Sequence, residues 1–171
     1  MTTLTWLASV TWPYVTGGTG GAHTSPAQGG LIYSRTQLTI TNSNLSGGTA
    51  GQGGGVFITG IKSSPSYFTD SSITDCNATA PSGVRAGNNG GCFYVDENDE
   101  ASDIAADSGL GMVFSNPTIS GCRAHAGGGL FLTRGRLAVT GGEISRNAAN
   151  YEGGGMTVAA AVMTMTAGTW A

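Results

Sequence analysis

A run of carboxylates between Asp96 and Asp107 is the densest cluster of chemically capable side chains in the sequence. It contains six of the ten acidic residues of the chain. Calcium takes about six to eight oxygen ligands from such residues, so the run could form a calcium-binding loop. The spacing does not follow the EF-hand pattern and favours a solvated loop instead. In the calcium alternative, the ligands are Asp96, Glu97, Asp99 and Asp103.

The three cysteines are Cys76, Cys92 and Cys122. They are too few for a disulfide-rich scaffold and match no zinc-binding spacing. The repeats described below place Cys76 and Cys122 at one position of neighbouring repeats, with their Cα atoms about 5 Å apart. Two alternatives remain open: a Cys76–Cys122 disulfide or a stack of two buried thiols. In either case, we expect that Cys92 bonds to neither of them.

Two sequons mark candidate N-glycosylation sites at Asn44 and Asn77. Asn44 precedes Leu45, which is predicted to point inward, so the Asn44 side chain should point outward. Asn77 begins an inserted loop. Since sequons are common by chance in chains rich in Ser and Thr, modification is expected only if the protein is secreted by a eukaryote.

The sequence does not contain the arrangement of carboxylates and basic residues that polysaccharide hydrolases and lyases need. Glycoside hydrolysis uses two carboxylates about 5 to 9.5 Å apart. No row of acids forms around Asp70, because the equivalent residues of other repeats are Asn42, Asn116, Gly141 and Ala167. The single lysine, Lys62, has no evident acidic calcium-binding partner of the kind that a pectate lyase-like reaction needs. The sequence therefore predicts a protein that is not an enzyme and has no cofactor, with calcium as the alternative.

The composition is that of one folded domain rather than of a binding tail or a membrane protein. The chain has 171 residues, of which 30 are glycine, 39% are hydrophobic and 10% are charged, and its net charge is -3. This hydrophobic content argues against disorder. Seven thinly spread Lys and Arg residues argue against nucleic-acid binding, and no apolar run is long enough to span a membrane.

Two short blocks recur along the chain. The first is a Gly-Gly pair before apolar residues, and we take the second glycine of each pair as equivalent: Gly30, Gly55, Gly91, Gly129 and Gly155. The central apolar residues of the second block are Leu45, Ile73, Ile119, Ile144 and Trp170. The period is 25 to 26 residues, as in the steps from Ile119 to Ile144 and from Ile144 to Trp170. Longer steps indicate insertions near 77–89 and 96–111.

Short segments such as Leu38–Thr41 alternate apolar and polar residues with the period of a β-strand. A repeat of three short strands cannot bury its own apolar face, whereas repeats stacked at about 4.8 Å can do so. The sequence therefore predicts an all-β parallel β-helix, a solenoid of about five and a half coils with two loop insertions. The second-block apolar residues should form one buried column, with Val10 placed like Leu45.

The Gly-Gly-apolar block, followed by a segment such as Ile144-Ser145-Arg146-Asn147, resembles the repeat of the chlamydial polymorphic outer-membrane proteins. It is also similar to the right-handed parallel β-helix repeats of the pectin-lyase-like class. The resemblance covers roughly Leu31 to Ala171. It implies a right-handed helix, an extracellular or cell-surface location, and an adhesive or structural role.

We expect residues 1–171 to be a single β-helix segment that is uncapped at both ends and belongs to a larger protein or assembly. Its expected function is that of a structural or adhesive module of an extracellular or surface assembly. The expected partners are other protein chains or further coils, and glycans, rather than nucleic acid or membrane. A carbohydrate-active enzyme, either a polysaccharide lyase or a hydrolase, is the alternative. Outward threonines leave an ice-binding solenoid as a minor alternative.

Overall fold

The computed structural model describes residues 8–10, 14–18, 28–59, 65–79, 87–96 and 111–170. In this part of the chain the regular elements are 20 β-strands, numbered β1 to β20 in chain order. All pairings between these strands are parallel. The all-β, parallel character predicted from the alternating segments is therefore confirmed.

The largest sheet contains ten strands. Its main path runs in the order Ala8–Val10 (β1), Leu38–Thr41 (β4), Ser66–Thr69 (β8), Met112–Ser115 (β12), Leu130–Thr140 (β15), Phe93–Asp96 (β11), Val56–Thr59 (β7) and Ile32–Ser34 (β3). The remaining two strands, Met156–Val158 (β18) and Ala161–Thr166 (β19), pair with successive parts of β15.

Two smaller parallel sheets accompany it. The six-stranded sheet has the order Tyr14–Thr16 (β2), Asn44–Ser46 (β5), Ser72–Thr74 (β9), Thr118–Ser120 (β13), Glu143–Ser145 (β16) and Thr169–Trp170 (β20). The four-stranded sheet has the order Ala148–Glu152 (β17), Arg123–Ala126 (β14), Asn77–Ala78 (β10) and Thr49–Ala50 (β6).

The predicted fold class, a single right-handed parallel β-helix of about five and a half coils, is wrong. The ten-stranded sheet folds back on itself and is nearly closed, like a barrel, and the other two sheets are flat. The cause lies in β15, which continues for 11 residues and pairs with β11 in its first part and with β12 in its second. Gly135, with φ 97°, lies within this strand. The repeat pattern predicts that the strands next to β11 and the strands next to β12 belong to separate sheets.

The predicted register of the second block is confirmed. Leu45 pairs with Ile73, Ile73 with Ile119, Ile119 with Ile144, and Ile144 with Trp170. The four aliphatic members are at most 2% exposed. The predicted place of Val10 is wrong, because Val15 pairs with Leu45 while Val10 pairs with Ile40.

The first block is misaligned by one residue in the sequence-based alignment. The structure pairs Ile32 with Val56, and Phe93 with both Val56 and Leu130, so that the second glycine is not the equivalent position. What the copies share is a left-handed glycine three residues before the strand, at Gly29, Gly53, Gly90, Gly127 and Gly153, with φ between 57° and 67°. Three copies contain three consecutive glycines, so a Gly-Gly pair can be aligned with them in two ways. In the other two copies, Leu31 and Cys92 occupy the position of the third glycine.

The turns before the six-stranded sheet also need a left-handed residue. The equivalent positions Asn42, Asp70, Asn116, Gly141 and Ala167 all have φ between 46° and 66°. Asn, Asp and Gly adopt this conformation at lower cost than other residues. Asp70 therefore belongs to a turn, where its Oδ1 accepts a hydrogen bond from Nδ2 of Asn116 at 3.0 Å.

Aromatic side chains fill the space between the sheets. Phe68, Phe93 and Phe114 are fully buried, with ring centroids 4.9 to 5.4 Å apart. Burial of each such ring contributes about 1.5 to 3 kcal/mol. The parts of the two predicted insertions at 80–86 and 97–110 lie outside the described residues.

Candidate functional site

A polar groove runs across the four-stranded sheet. Its volume is about 460 Å³. The described side chains that line it are mostly amides, alanines and cationic or ring groups: Asn77, Ala78, Thr79, Asn88, Arg123, Ala124, His125, Ala148 and Asn150. Six of these nine side chains can form hydrogen bonds: Asn77, Thr79, Asn88, Arg123, His125 and Asn150.

Strand alternation explains the outward side chains. In β14, Arg123 and His125 are exposed, whereas Ala124 and Ala126 are buried. Successive residues of a strand point to opposite faces, so the small alanines pack inward and the two larger side chains enter the groove. Asn77 pairs with Arg123 in the neighbouring strand, which sets the two polar side chains beside each other.

A β-bulge shapes one end of the groove. Ala124 pairs with Ala149, but Ala126 pairs with Glu152, so Asn150 and Tyr151 together stand opposite His125. Bulges change the direction of nearby side chains. Here the Tyr151 ring stacks on His125, with centroids 5.2 Å apart and planes 3° from parallel. Tyr151 is 72% exposed, so its ring presents a flat aromatic surface next to His125.

Asn88 contributes an unpaired acceptor. Its backbone oxygen accepts a hydrogen bond from the His125 N–H at 2.7 Å, which ties the segment to β14. Its side-chain Oδ1 is buried, and no described residue donates a hydrogen bond to it. An unsatisfied buried acceptor costs about 1 to 3 kcal/mol.

The charge of the groove is one-sided. The described lining contains the Arg123 guanidinium and the His125 imidazole, and among these residues there is no carboxylate. Arginine binds planar carboxylates through two parallel hydrogen bonds. The arrangement can therefore bind a polar ligand that carries hydroxyl and carboxylate groups.

The three cysteines converge on a buried corner next to this sheet. Cys92 and Cys122 form a disulfide, with Cα atoms 5.6 Å apart, and Cys76 is a buried free thiol. The predicted Cys76–Cys122 disulfide and the alternative stack of two free thiols are both wrong. The register behind them is correct, since Asn77 pairs with Arg123 immediately after these cysteines.

The misalignment of the first block accounts for this error. Cys92 takes the position that Gly55 and Gly129 occupy in the adjacent strands. A Cβ at Gly55 would lie 3.0 Å from Sγ of Cys76, which shows that this position faces the cysteine corner. The Cys92 side chain therefore reaches Cys122 from the neighbouring sheet, a contact that the repeat period alone does not reveal.

Backbone N–H groups donate hydrogen bonds to side chains at equivalent positions of successive repeats around the cysteines. The N–H of Gly48 donates to Sγ of Cys76, and that of Cys76 donates to Sγ of Cys122, both at 3.4 Å. In the next strand the Cys122 N–H donates to Oδ1 of Asn147 at 2.9 Å. Burial raises the pKa of the Cys76 thiol from its ordinary value of 9.0 to about 11.

Of the four predicted calcium ligands, only Asp96 lies within the described residues. Its Oδ1 accepts a hydrogen bond from the Thr133 hydroxyl at 2.9 Å. Glu97, Asp99 and Asp103 lie outside the described residues. The calcium loop stays a prediction.

The two sequon asparagines have different surroundings. Asn44 is exposed, and its Oδ1 accepts a hydrogen bond from the Ser72 hydroxyl at 2.6 Å. Asn77 is half-buried and lines the groove. Their glycosylation stays a prediction.

Sequence reasoning missed Arg123, His125 and Asn150 of the groove, and Tyr151, which stacks on His125. The alternation Arg123-Ala124-His125-Ala126 was the available signal, since it places two large polar side chains on one face of a strand. Asn150 and Tyr151 carried no comparable signal, because their position depends on the bulge.

Within the described residues, no helix has the length and apolar character required to cross a bilayer. The resemblance of the repeats to polymorphic outer-membrane proteins stays a prediction, although the β-helix that it implies is corrected above. No family model, no curated protein and no solved structure matches this chain.

Proposed function

We propose that this protein is an adhesive module of an extracellular or cell-surface assembly that binds carboxylate-bearing glycans in the groove of the four-stranded sheet. The observation that carries the proposal is the groove itself. Its lining combines the Arg123 guanidinium, the side chains of Asn77, Asn88 and Asn150, and the His125 ring, on which Tyr151 stacks.

The chemistry of the lining supports a sugar ligand. Asparagine side chains offer both donors and acceptors, which suits the hydroxyl groups of a sugar ring. The exposed Tyr151 ring offers a flat apolar surface on which a pyranose can lie. Arg123 would pair with the carboxylate of a uronic or sialic acid, which selects acidic over neutral glycans.

We propose binding rather than hydrolysis. Hydrolysis of a glycosidic bond needs an acid and a second carboxylate on either side of the bond. The described lining contains amide, hydroxyl, guanidinium and imidazole groups and no carboxylate. The nearest acid in the register, Glu152, lies at the end of the bulge and is a single carboxylate.

The Cys92–Cys122 disulfide supports an extracellular location. Disulfides persist in secreted and surface proteins and are rare in reducing compartments. Other protein chains of the assembly are the further partners that we propose.

The test is calorimetric titration of the protein with an oligogalacturonate and with a neutral cello-oligosaccharide. We expect binding of the acidic oligosaccharide and at least about tenfold weaker binding of the neutral one. Arg123→Ala should weaken acidic-glycan binding by roughly ten- to a hundredfold, because a charged hydrogen bond contributes about 1.5 to 3 kcal/mol.

Arg35→Ala is the matched control. Arg35 is exposed and is not among the described residues that line the groove, so its removal changes the net charge equally without touching the groove. Equal losses in both variants would show that only general charge attraction is measured. Failure of the unmodified protein to bind the oligogalacturonate would overturn the proposal.

A further inference from the structure

The three sulfur atoms of Cys76, Cys92 and Cys122 form a compact buried group. Their Sγ atoms all lie within 4.8 Å of one another, and each residue is 0% exposed. In a pyramidal complex with three ion–sulfur bonds of roughly 2.3 Å and angles of about 95° between them, the sulfur atoms are about 3.4 Å apart. The three side chains therefore need only small shifts to surround one ion once the disulfide is open.

We propose that the reduced protein binds one trivalent thiophilic ion, of the arsenite class, through these three sulfurs. The site is separate from the groove, and the inference does not depend on the proposed glycan binding.

The burial of the corner selects the charge of the ion. Burying a net charge in an apolar interior is costly. Three thiolates around a trivalent ion give a neutral complex, whereas a divalent ion leaves one negative charge and a monovalent ion leaves two. Fully buried sulfur ligands among residues such as Ile73 therefore favour the trivalent ion.

The number of ligands points in the same direction. Structural zinc takes four protein ligands, and the described residues supply three at this corner. Trivalent arsenic forms three bonds to sulfur and directs a lone pair away from them, so three cysteines complete its coordination.

The backbone prepares the sulfurs for this role. The N–H groups of Gly48 and Cys76 donate to Sγ of Cys76 and Cys122, respectively, at 3.4 Å. Hydrogen bonds of this kind orient ligands and stabilise the charge on sulfur. A side chain at Gly55 would crowd the cysteines, since its Cβ would lie 2.4 Å from Cδ1 of Ile73 and 3.0 Å from Sγ of Cys76.

Binding first requires a reductant. A phosphine with one water converts the Cys92–Cys122 disulfide into two thiols and a phosphine oxide, which transfers two electrons to the protein. The three thiols and As(OH)₃ then form three As–S bonds and release three water molecules, so no charge is created. The oxidised protein cannot bind the ion, which makes binding conditional on the redox state.

The test uses full-length protein reduced by a phosphine, desalted without oxygen and mixed with sodium arsenite. Native mass spectrometry should show one arsenic per chain with the loss of three hydrogens, and X-ray absorption should show three sulfurs around it. All three cysteines should become protected from alkylation. Protein that keeps its disulfide should bind none.

Cys76→Ser should reduce the sulfur count to two and weaken binding by at least about tenfold, because metal affinity here depends on every thiolate. Ser72→Ala, on an adjacent strand with all three cysteines retained, should bind like the unmodified protein.

The sulfur count and the alkylation of the unmodified protein test the proposal even if Cys76→Ser does not fold. A sulfur count of two or fewer, or an alkylatable cysteine in the arsenite complex, would overturn the proposal. Loss of the fold on reduction without recovery on addition of arsenite would overturn it as well.

Discussion

The six-stranded and four-stranded sheets use the same parallel register for opposite purposes. The inward row of the six-stranded sheet repeats one kind of side chain, from Leu45 through Ile73 and Ile119 to Ile144. The outward row of the four-stranded sheet changes at every strand, so that Thr49, Asn77, Arg123 and Ala148 lie side by side.

This difference separates stability from recognition. A row of similar buried side chains fills space between strands and is constrained by volume. A row of different exposed side chains costs little stability, so its chemistry is free to serve a ligand. Substitutions in the first row should therefore change unfolding, and those in the second should change binding.

The largest effect is expected for Ile119→Ala in the buried row. Ile119 is 0% exposed and has an aliphatic neighbour on both sides. Its truncation leaves a cavity and should lower the free energy of unfolding by about 2 to 5 kcal/mol, measured by urea denaturation. Thr118→Ala, which removes the half-buried neighbouring side chain of the same strand, should change it by about 0.5 kcal/mol or less. Similar losses in both variants would contradict the division of roles.

An intermediate effect is expected at the cysteine corner at alkaline pH. The folded protein holds the pKa of Cys76 at about 11, above the ordinary thiol value of 9.0. Because the raised pKa belongs to the folded state, this stabilisation is complete below pH 9 and is lost as the pH rises towards 11. The loss amounts to at most about 3 kcal/mol.

The thiolate absorbance of the native protein, minus that of Cys76→Ser, measures this titration directly. Its midpoint should lie near pH 11, because desolvation of the buried sulfur is the main cause of the shift. A midpoint near pH 9 would mean that water reaches this corner.

The smallest effect on stability is expected for Tyr151→Ala in the groove. The ring is exposed and stacks on His125, so its loss should change the free energy of unfolding by about 0.5 kcal/mol. The same variant should weaken glycan binding severalfold in calorimetric titration, because the flat surface for the sugar ring is lost. Tyr67→Ala removes another exposed tyrosine, on β8, and should leave glycan binding unchanged. A large loss of stability in Tyr151→Ala would place this ring among the structural residues.

Part of this protein could be predicted from its sequence because the responsible forces are local and periodic. Alternation in segments such as Leu38–Thr41 predicted strands, and the spacing of Leu45, Ile73, Ile119 and Ile144 predicted their parallel register. Burial requires apolar residues at regular intervals along the chain, so strand positions and register can be predicted from the sequence.

The tertiary structure alone decided how the rows of strands are joined and which distant groups meet. Because β15 continues through Gly135, the strands paired with its first part and those paired with its second part form one sheet. The periodicity of the sequence does not show that a turn is missing at this point. The Cys92–Cys122 disulfide crosses between sheets, and the bulge opposite His125 sets Tyr151 against its ring. These contacts depend on a one-residue register and on packing between sheets, and a one-residue shift reverses the side of a strand from which a side chain projects.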